Sequence, residues 1–215
     1  MKLSGFSRRI SMRARRRAGR GIVFAIGVAL LGLAAAACGG GASADADDKG
    51  FDAVPDRVTR LVIDVDSSFD EFKSRYEQAV PAFSPDRLAG VAGWDAVVAR
   101  TAELAPHGFL LYGKIDAAPV MKLNGHPQRA VTYLMGNHVV AETMYGKDPG
   151  VLLYAPLRTL IYEDLKGKVH FSIDQPSTRF SSFGNDDIAA TGKQLDQKLA
   201  ELLSHLGLPG PGQLR

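Results

Sequence analysis

Apolar residues are spread unevenly along the chain, and their spacing changes character twice. Residues 22–37 carry no polar side chain. From Gly39 to about Asp56 the chain is mostly Gly, Ala, Ser and Asp, which bury too little surface to offset an ordering cost of about 1 to 2 kcal/mol per residue, so a flexible tether is expected. From Arg57 the apolar positions become periodic. "RLVIDVD" (60–66) alternates as a strand does, and "SSFDEFKSRYEQAV" opens on Ser68 with Glu71 three residues later, a capping box. Phe69, Phe72, Tyr76 and Val80 then recur at helical spacing until Pro81. Trp94, Val97, Val98, Thr101 and Leu104 mark a second helix, closed by Pro106 and Gly108.

Four further strands are predicted at 108–116, 128–136, 156–164 and 168–174, the last two joined by a hairpin-length turn across 165–167. A short helix is expected at 139–145. The clearest helix spans 185–206, with Ile188, Leu195, Leu199, Leu202 and Leu206 on one stripe. The order β, α, α, β, β, short α, β, β, α predicts an α+β domain over 57–206, an antiparallel sheet with helices packed on one face, followed by a disordered tail at 207–215.

Charge changes the reading of the first 37 residues. They hold 8 of the 26 Lys and Arg and none of the 23 acids, all eight bases lying before residue 21. Basic, then apolar, then small is the layout of an export signal. A permanent span is the rival, yet sixteen residues at 1.5 Å each reach only about 24 Å against a hydrocarbon core of about 30 Å. Ala35, Ala36 and Ala37 before Cys38 resemble the lipobox of bacterial lipoproteins, although Ala35 stands where Leu is usual. By that resemblance Cys38 becomes the lipidated first residue of the mature protein, anchoring it to a membrane on the periplasmic or outer side. Ordinary cleavage after the alanines is the alternative. "SRRISMR" (7–13) is similar to a twin-arginine signal with Ser11 in place of Phe, so the export route stays open.

Cys38 is the only cysteine, so no intramolecular disulfide is possible. Without residues 1–37, 18 bases face 23 acids, a net charge of −5 against +3 for the whole chain. A mildly acidic domain has no electrostatic reason to seek nucleic acid.

"HGFLLYGKID", "RAVTYLMGN", "AETMYGKDPGVLLYAPLRTLIYED" and "DQPSTRFSSFG", in this order, resemble the DUF302 family of bacterial and archaeal domains, which has no settled biochemical role. The resemblance runs from about Val62 to Leu206 and implies a TBP-like sandwich, a curved antiparallel sheet with its long helices on one side. The family commonly has Gly-Asn-Pro where this chain has Gly136, Asn137 and His138.

Several side chains are candidates for chemistry, each with a plainer use. Asn137 and His138, with Met135 and Met144 close in sequence, contain donors that suit a soft metal or haem iron, but no ligand spacing accompanies them, and core methionines beside a solvated loop histidine are the simpler reading, so no cofactor is expected. Tyr133, Arg158 and Tyr162 lie on strands; a guanidinium between two phenols would clamp a carboxylate, while an arginine paired with an acid on a neighbouring strand explains the same pattern more simply. By alternation Arg158, Leu160 and Tyr162 share one face and Thr159 and Ile161 the other. The Ser- and Thr-rich stretch 174–184 reads as a loop whose hydroxyls stabilise turns, in preference to a nucleophile served by His170 or His138. His107, His126 and His205 need no role beyond their positions at element ends.

Three functions follow as expectations. The leading one is an envelope lipoprotein that binds a small ligand or a partner protein on the open side of its sheet, through Asn137, His138, Arg158, Tyr133 and Tyr162. The second is a hydrolase or redox enzyme using His138 with Tyr133 or Tyr162. The third is a structural lipoprotein with a flat surface.

Overall fold

The computed structural model describes residue 50, residues 52–210 and residues 212–214. The expected signal peptide, Cys38 and most of the tether lie outside the described residues.

Five strands, β1 (Arg60–Val65), β2 (Leu110–Asp116), β3 (Ala130–Gly136), β4 (Leu157–Glu163) and β5 (Val169–Asp174), form one open antiparallel sheet in the order β1-β5-β4-β3-β2. The helices are α1 (Phe69–Ala79), α2 (Trp94–Leu104), α3 (Ala118–Lys122), α4 (His138–Tyr145), α5 (Pro176–Phe180) and α6 (Asp186–His205). This is the α+β class that the order of elements predicts.

Strand alternation decides the core. Leu61, Ile63 and Val65 of β1, Val131, Tyr133 and Met135 of β3, Leu157, Thr159 and Ile161 of β4, and Phe171 and Ile173 of β5 are buried on one face. Onto it α1 lays Phe69, Phe72 and Tyr76, and α6 lays Ile188, Leu195, Leu199, Leu202 and Leu203. Ser68 caps α1 by accepting from the Glu71 N–H at 3.3 Å, and Asn185 caps α6 through the N–H groups of Asp187 and Ile188. The Tyr76 hydroxyl would be costly in this apolar layer alone. It is bonded to Thr159 Oγ1 at 2.9 Å and to Met135 Sδ at 3.3 Å.

Four expectations change. The stretch 174–184 is α5 followed by a 3-10 turn, Ser181–Phe183, because Pro176 starts a helix where its missing N–H costs nothing. Residues 207–215 do not all form a disordered tail, since Leu208 and Leu214 are buried in the main core. The last residue of the expected tether is held, with Asp56 Oδ2 accepting from Arg179 Nη1 at 2.8 Å. Trp94 and Val98 do not face a core; α2 buries only Thr101 and Leu104, and Leu104 joins Ala105 and Leu110 in a satellite cluster with Phe83 and Tyr112.

The new helix α5 is fastened from both sides. Asp196 of α6, buried, accepts from Gln175 Nε2 at 2.7 Å, from the Ser177 N–H at 2.9 Å and from Ser177 Oγ at 2.6 Å. Gly192, one turn earlier, lets the elements touch: a Cβ there would stand 3.0 Å from Ser177 Cα and 3.1 Å from Phe180 Cβ. On its other flank α5 holds the incoming chain, with Thr59 N–H donating to Thr178 Oγ1 at 3.1 Å and Gln175 N–H donating to the Thr59 carbonyl at 2.7 Å.

Replacing Asp196 by Ala removes the carboxylate that accepts from Gln175 and twice from half-buried Ser177 and is expected to cost about 3 kcal/mol, whereas Gly192→Ala is expected to cost about 2 kcal/mol through crowding alone. Urea unfolding monitored by circular dichroism measures both.

Candidate functional site

The site begins with an irregularity in β2. Between Leu111 and Gly113 the register against β3 shifts, leaving Tyr112 as the extra residue of a bulge, and a bulge re-aims the side chain it carries. The Tyr112 hydroxyl thereby reaches the first turn of α4, where it accepts from the His138 backbone N–H at 3.0 Å. Asn137 caps the same helix. Its Oδ1 accepts from the N–H groups of Val139 and Val140 at 2.9 and 3.3 Å, and its Nδ2 donates to the Gly108 carbonyl at 3.0 Å. His138 stands at the first helical position, which favours proline; here an N–H is present and Tyr112 takes it up.

The imidazole of His138 is fixed at both nitrogens. Nδ1 lies 2.7 Å from the Tyr112 hydroxyl and Nε2 lies 2.7 Å from Thr101 Oγ1. Thr101 spends its own proton on the Val97 carbonyl at 2.7 Å, so its oxygen accepts from Nε2–H, and the Tyr112 hydroxyl, already accepting the backbone N–H, donates to Nδ1. One tautomer satisfies every partner: neutral, with the proton on Nε2. Burial also pushes the His138 pKa below its ordinary value of 6.5. Neither nitrogen is left to take a metal or a substrate proton, and the ring is not the solvated loop histidine of the simpler sequence reading.

Beneath α4 opens a hollow of about 180 Å³. Its floor and walls come from Val140, Ala141 and Met144 of α4, Pro156 and Leu157 at the start of β4, and Phe180 and Leu195 from the α5–α6 pair, with Tyr112, Asn137 and His138 at one side. Gly136 permits the approach of β3 to Pro156, since a Cβ there would meet Pro156 Cα at 3.3 Å. The hollow therefore lies at the end of the sheet under α4, away from the open sheet face on which a ligand was expected. It also answers the expectation of a flat surface.

The remaining predicted residues do not join it. Tyr133 points to the opposite face from Arg158 and Tyr162, because it pairs across the ladder with Thr159 and shares its inward side. Its hydroxyl donates to Glu77 Oε1 at 2.8 Å, and burial, then Glu77, push its pKa up. Burial acts to raise the Glu77 carboxyl pKa, but bonds from Lys114, Tyr133 and Lys73 outweigh it and leave the group below its ordinary value.

Tyr162 does share a face with Arg158, as alternation predicts, but four residues along a strand are about 13 Å apart, too far to clamp one carboxylate. Tyr162 instead stacks on His170 at 5.1 Å, and His170 sits between Asp64 (3.0 Å) and Asp164 (3.4 Å). The expected ion pair of Arg158 is also missing: among the described residues no carboxylate lies within 4 Å of it. The strand-end arginine with that role is Arg129, bonded to Glu163 and Asp70.

Thr101 and Tyr112, which decide the state of His138, were not among the sequence candidates. They stand 37 and 26 residues from it, and the one available signal was Thr101 on the apolar stripe of α2, a polar group needing a partner.

His138 is expected to titrate below pH 6.5, with nitrogen chemical shifts that report Nε2–H at neutral pH. Because the folded pKa is the lower one, the unfolded chain takes up the proton first, so stability falls as pH drops from about 6.5 toward the folded value; His107, also depressed by burial, acts in the same direction. His138→Gln is expected to remove its share of that slope, read from urea midpoints between pH 7.5 and 5.

Comparison with known proteins supports the fold and the family. A crystal structure described as an uncharacterized conserved protein DUF302 from Bacillus stearothermophilus is similar to this chain with a TM-score of 0.51 at 13% identity, covering 68% of this chain and 97% of that one. No curated protein matches the sequence. The family described as domain of unknown function DUF302 matches residues 91–206, beginning later than the resemblance read from the motifs but spanning α2 to α6, and the chain belongs to that family.

Proposed function

We propose that this protein is a membrane-anchored lipoprotein of the cell envelope, tied to the bilayer by a lipid on Cys38, whose DUF302 domain holds a small uncharged apolar group in the hollow under α4. One observation carries the binding reading. Every polar side chain bordering that hollow is hydrogen-bonded within the protein: Asn137 to the α4 backbone and Gly108, His138 to Thr101 and Tyr112. What remains to be satisfied there is apolar surface facing solvent, and an apolar group that fills the hollow removes that surface from water.

A size of about 180 Å³ suits one ring or an alkyl segment of about six to eight carbons. Binding fits the site better than turnover, since a general base needs a free lone pair and His138 offers none. The anchoring part rests on the sequence, on the order of basic, apolar and small residues ahead of Cys38.

Calorimetric titration of the domain with 1-octanol is expected to show saturable binding and a raised melting temperature. Ala141→Trp, which fills the hollow from α4, is expected to abolish binding while circular dichroism reports an unchanged fold. Absence of octanol binding to the unaltered domain overturns the ligand reading. For the anchor, mass spectrometry of the natively expressed protein is expected to show an acylated Cys38 as the first residue; an intact leader or an unmodified thiol overturns it.

A further inference from the structure

Beside the apolar hollow lies a second one of different chemistry, about 280 Å³, bordered by Leu134, Tyr154, Arg158, Asp174 and Arg179. Pro156 and Leu157 line both. The rim between the two belongs to the 3-10 turn Pro149–Leu153: Leu152 borders the first hollow and Leu153 the second, and they are 51% and 78% exposed. These leucines border the two hollows in turn, and with Pro156 and Leu157 common to both, a ligand seated in the first hollow has the second beside it.

The two arginines of the second hollow are not equivalent. Arg179 is spoken for, bonded to Asp174 at 2.7 Å and to Asp56 at 2.8 Å and lying over the Tyr154 ring at 5.0 Å. Arg158 is exposed, with no carboxylate, phenol or carbonyl bonded to it among the described residues, and strand alternation turns it to the open side of the sheet next to Leu134, its register partner on β3. Since Asp174 and Asp56 are both engaged by Arg179, the guanidinium of Arg158 is the charge in this hollow that lacks a counter-ion.

We infer that the ligand is a monoanionic amphiphile, an acid whose chain or ring of about six to eight carbons lies in the hollow under α4 and whose carboxylate projects from the mouth of that hollow, past Pro156 and Leu157, toward Arg158. This rests on the reading of the first hollow as a binding site and adds the head group to it. The planar fork of a guanidinium matches a carboxylate bidentately, and bonds of that kind are stronger than those between neutral groups. Arg179 then has a positioning role, keeping Asp174 turned away from the incoming anion.

The test compares 1-octanol with octanoate, which share the apolar part and differ at the head. Both are titrated into the unaltered domain and into Arg158→Ala at pH 7.5 and low salt, with circular dichroism to show that the exposed substitution leaves the fold intact. Octanoate is expected to bind about tenfold more tightly than octanol to the unaltered domain, and this ratio is expected to fall to about one in Arg158→Ala. Added salt is expected to shrink the ratio by weakening octanoate alone. Equal affinities in the unaltered domain, or a ratio that survives Arg158→Ala, overturn the head-group assignment while octanol binding still upholds the hollow. Failure of both compounds to bind overturns the two readings together.

Discussion

The buried carboxylate of Asp196 holds the arrangement from which the candidate site is made. A single side chain on α6 accepts three hydrogen bonds from residues at the start of α5, and Gly192 removes the bulk that would keep the two helices apart. A carboxyl group out of water is tolerated only when its hydrogen-bonding capacity is taken up in this way. With α5 fixed, Phe180 and Leu195 become adjoining walls of the hollow and Arg179 is aimed at its neighbour. Remove the carboxylate and Ser177 loses the acceptor of both its donors, so the start of α5 is no longer fastened to α6 through it.

Much of the fold was legible in the sequence because its signals are local. Ser68 ahead of Glu71, Asn185 ahead of Ile188, and leucines at 195, 199 and 202 each report a cap or a stripe within one or two turns. Alternation within β4 placed Arg158 and Tyr162 on one face correctly. What failed depends on relations between segments. Whether Tyr133 joins them is set by the register of β3 against β4, and a shift of one residue exchanges the faces. The stretch 174–184 looked like a loop because its polar residues satisfy an isolated turn equally well; Asp196, about twenty residues away, is what makes it a helix shoulder. Leu208 and Leu214 followed an evident helix end and a Pro-Gly run, so only tertiary burial could reveal them.

The candidate site shows the same division. Asn137 as a helix cap and His138 as the first helical residue are local relations, although the sequence pattern starts this helix at Val139 and leaves His138 in a loop. The neutral state of His138 comes from Thr101 and Tyr112, and Tyr112 reaches it through a bulge that no single-strand pattern announces. Membership of the DUF302 family and the likeness to another member of known structure describe the scaffold, leaving the chemistry to be argued from the side chains. Those side chains close off proton transfer at the histidine and leave apolar surface open next to one uncompensated guanidinium.

The short helix α5 also determines where mechanical load enters the domain. Asp56 is clipped to Arg179, and Thr59 is bonded to both Thr178 and Gln175, before the chain reaches the ladder of β1. Tension arriving along the segment ahead of residue 56 is thus delivered to α5, from which it passes through Asp196 into the longest helix and through Asp174 and Gln175 into the edge of the β1–β5 ladder. Load on that segment is therefore felt at α5, whose Phe180 borders one hollow and whose Arg179 borders the other.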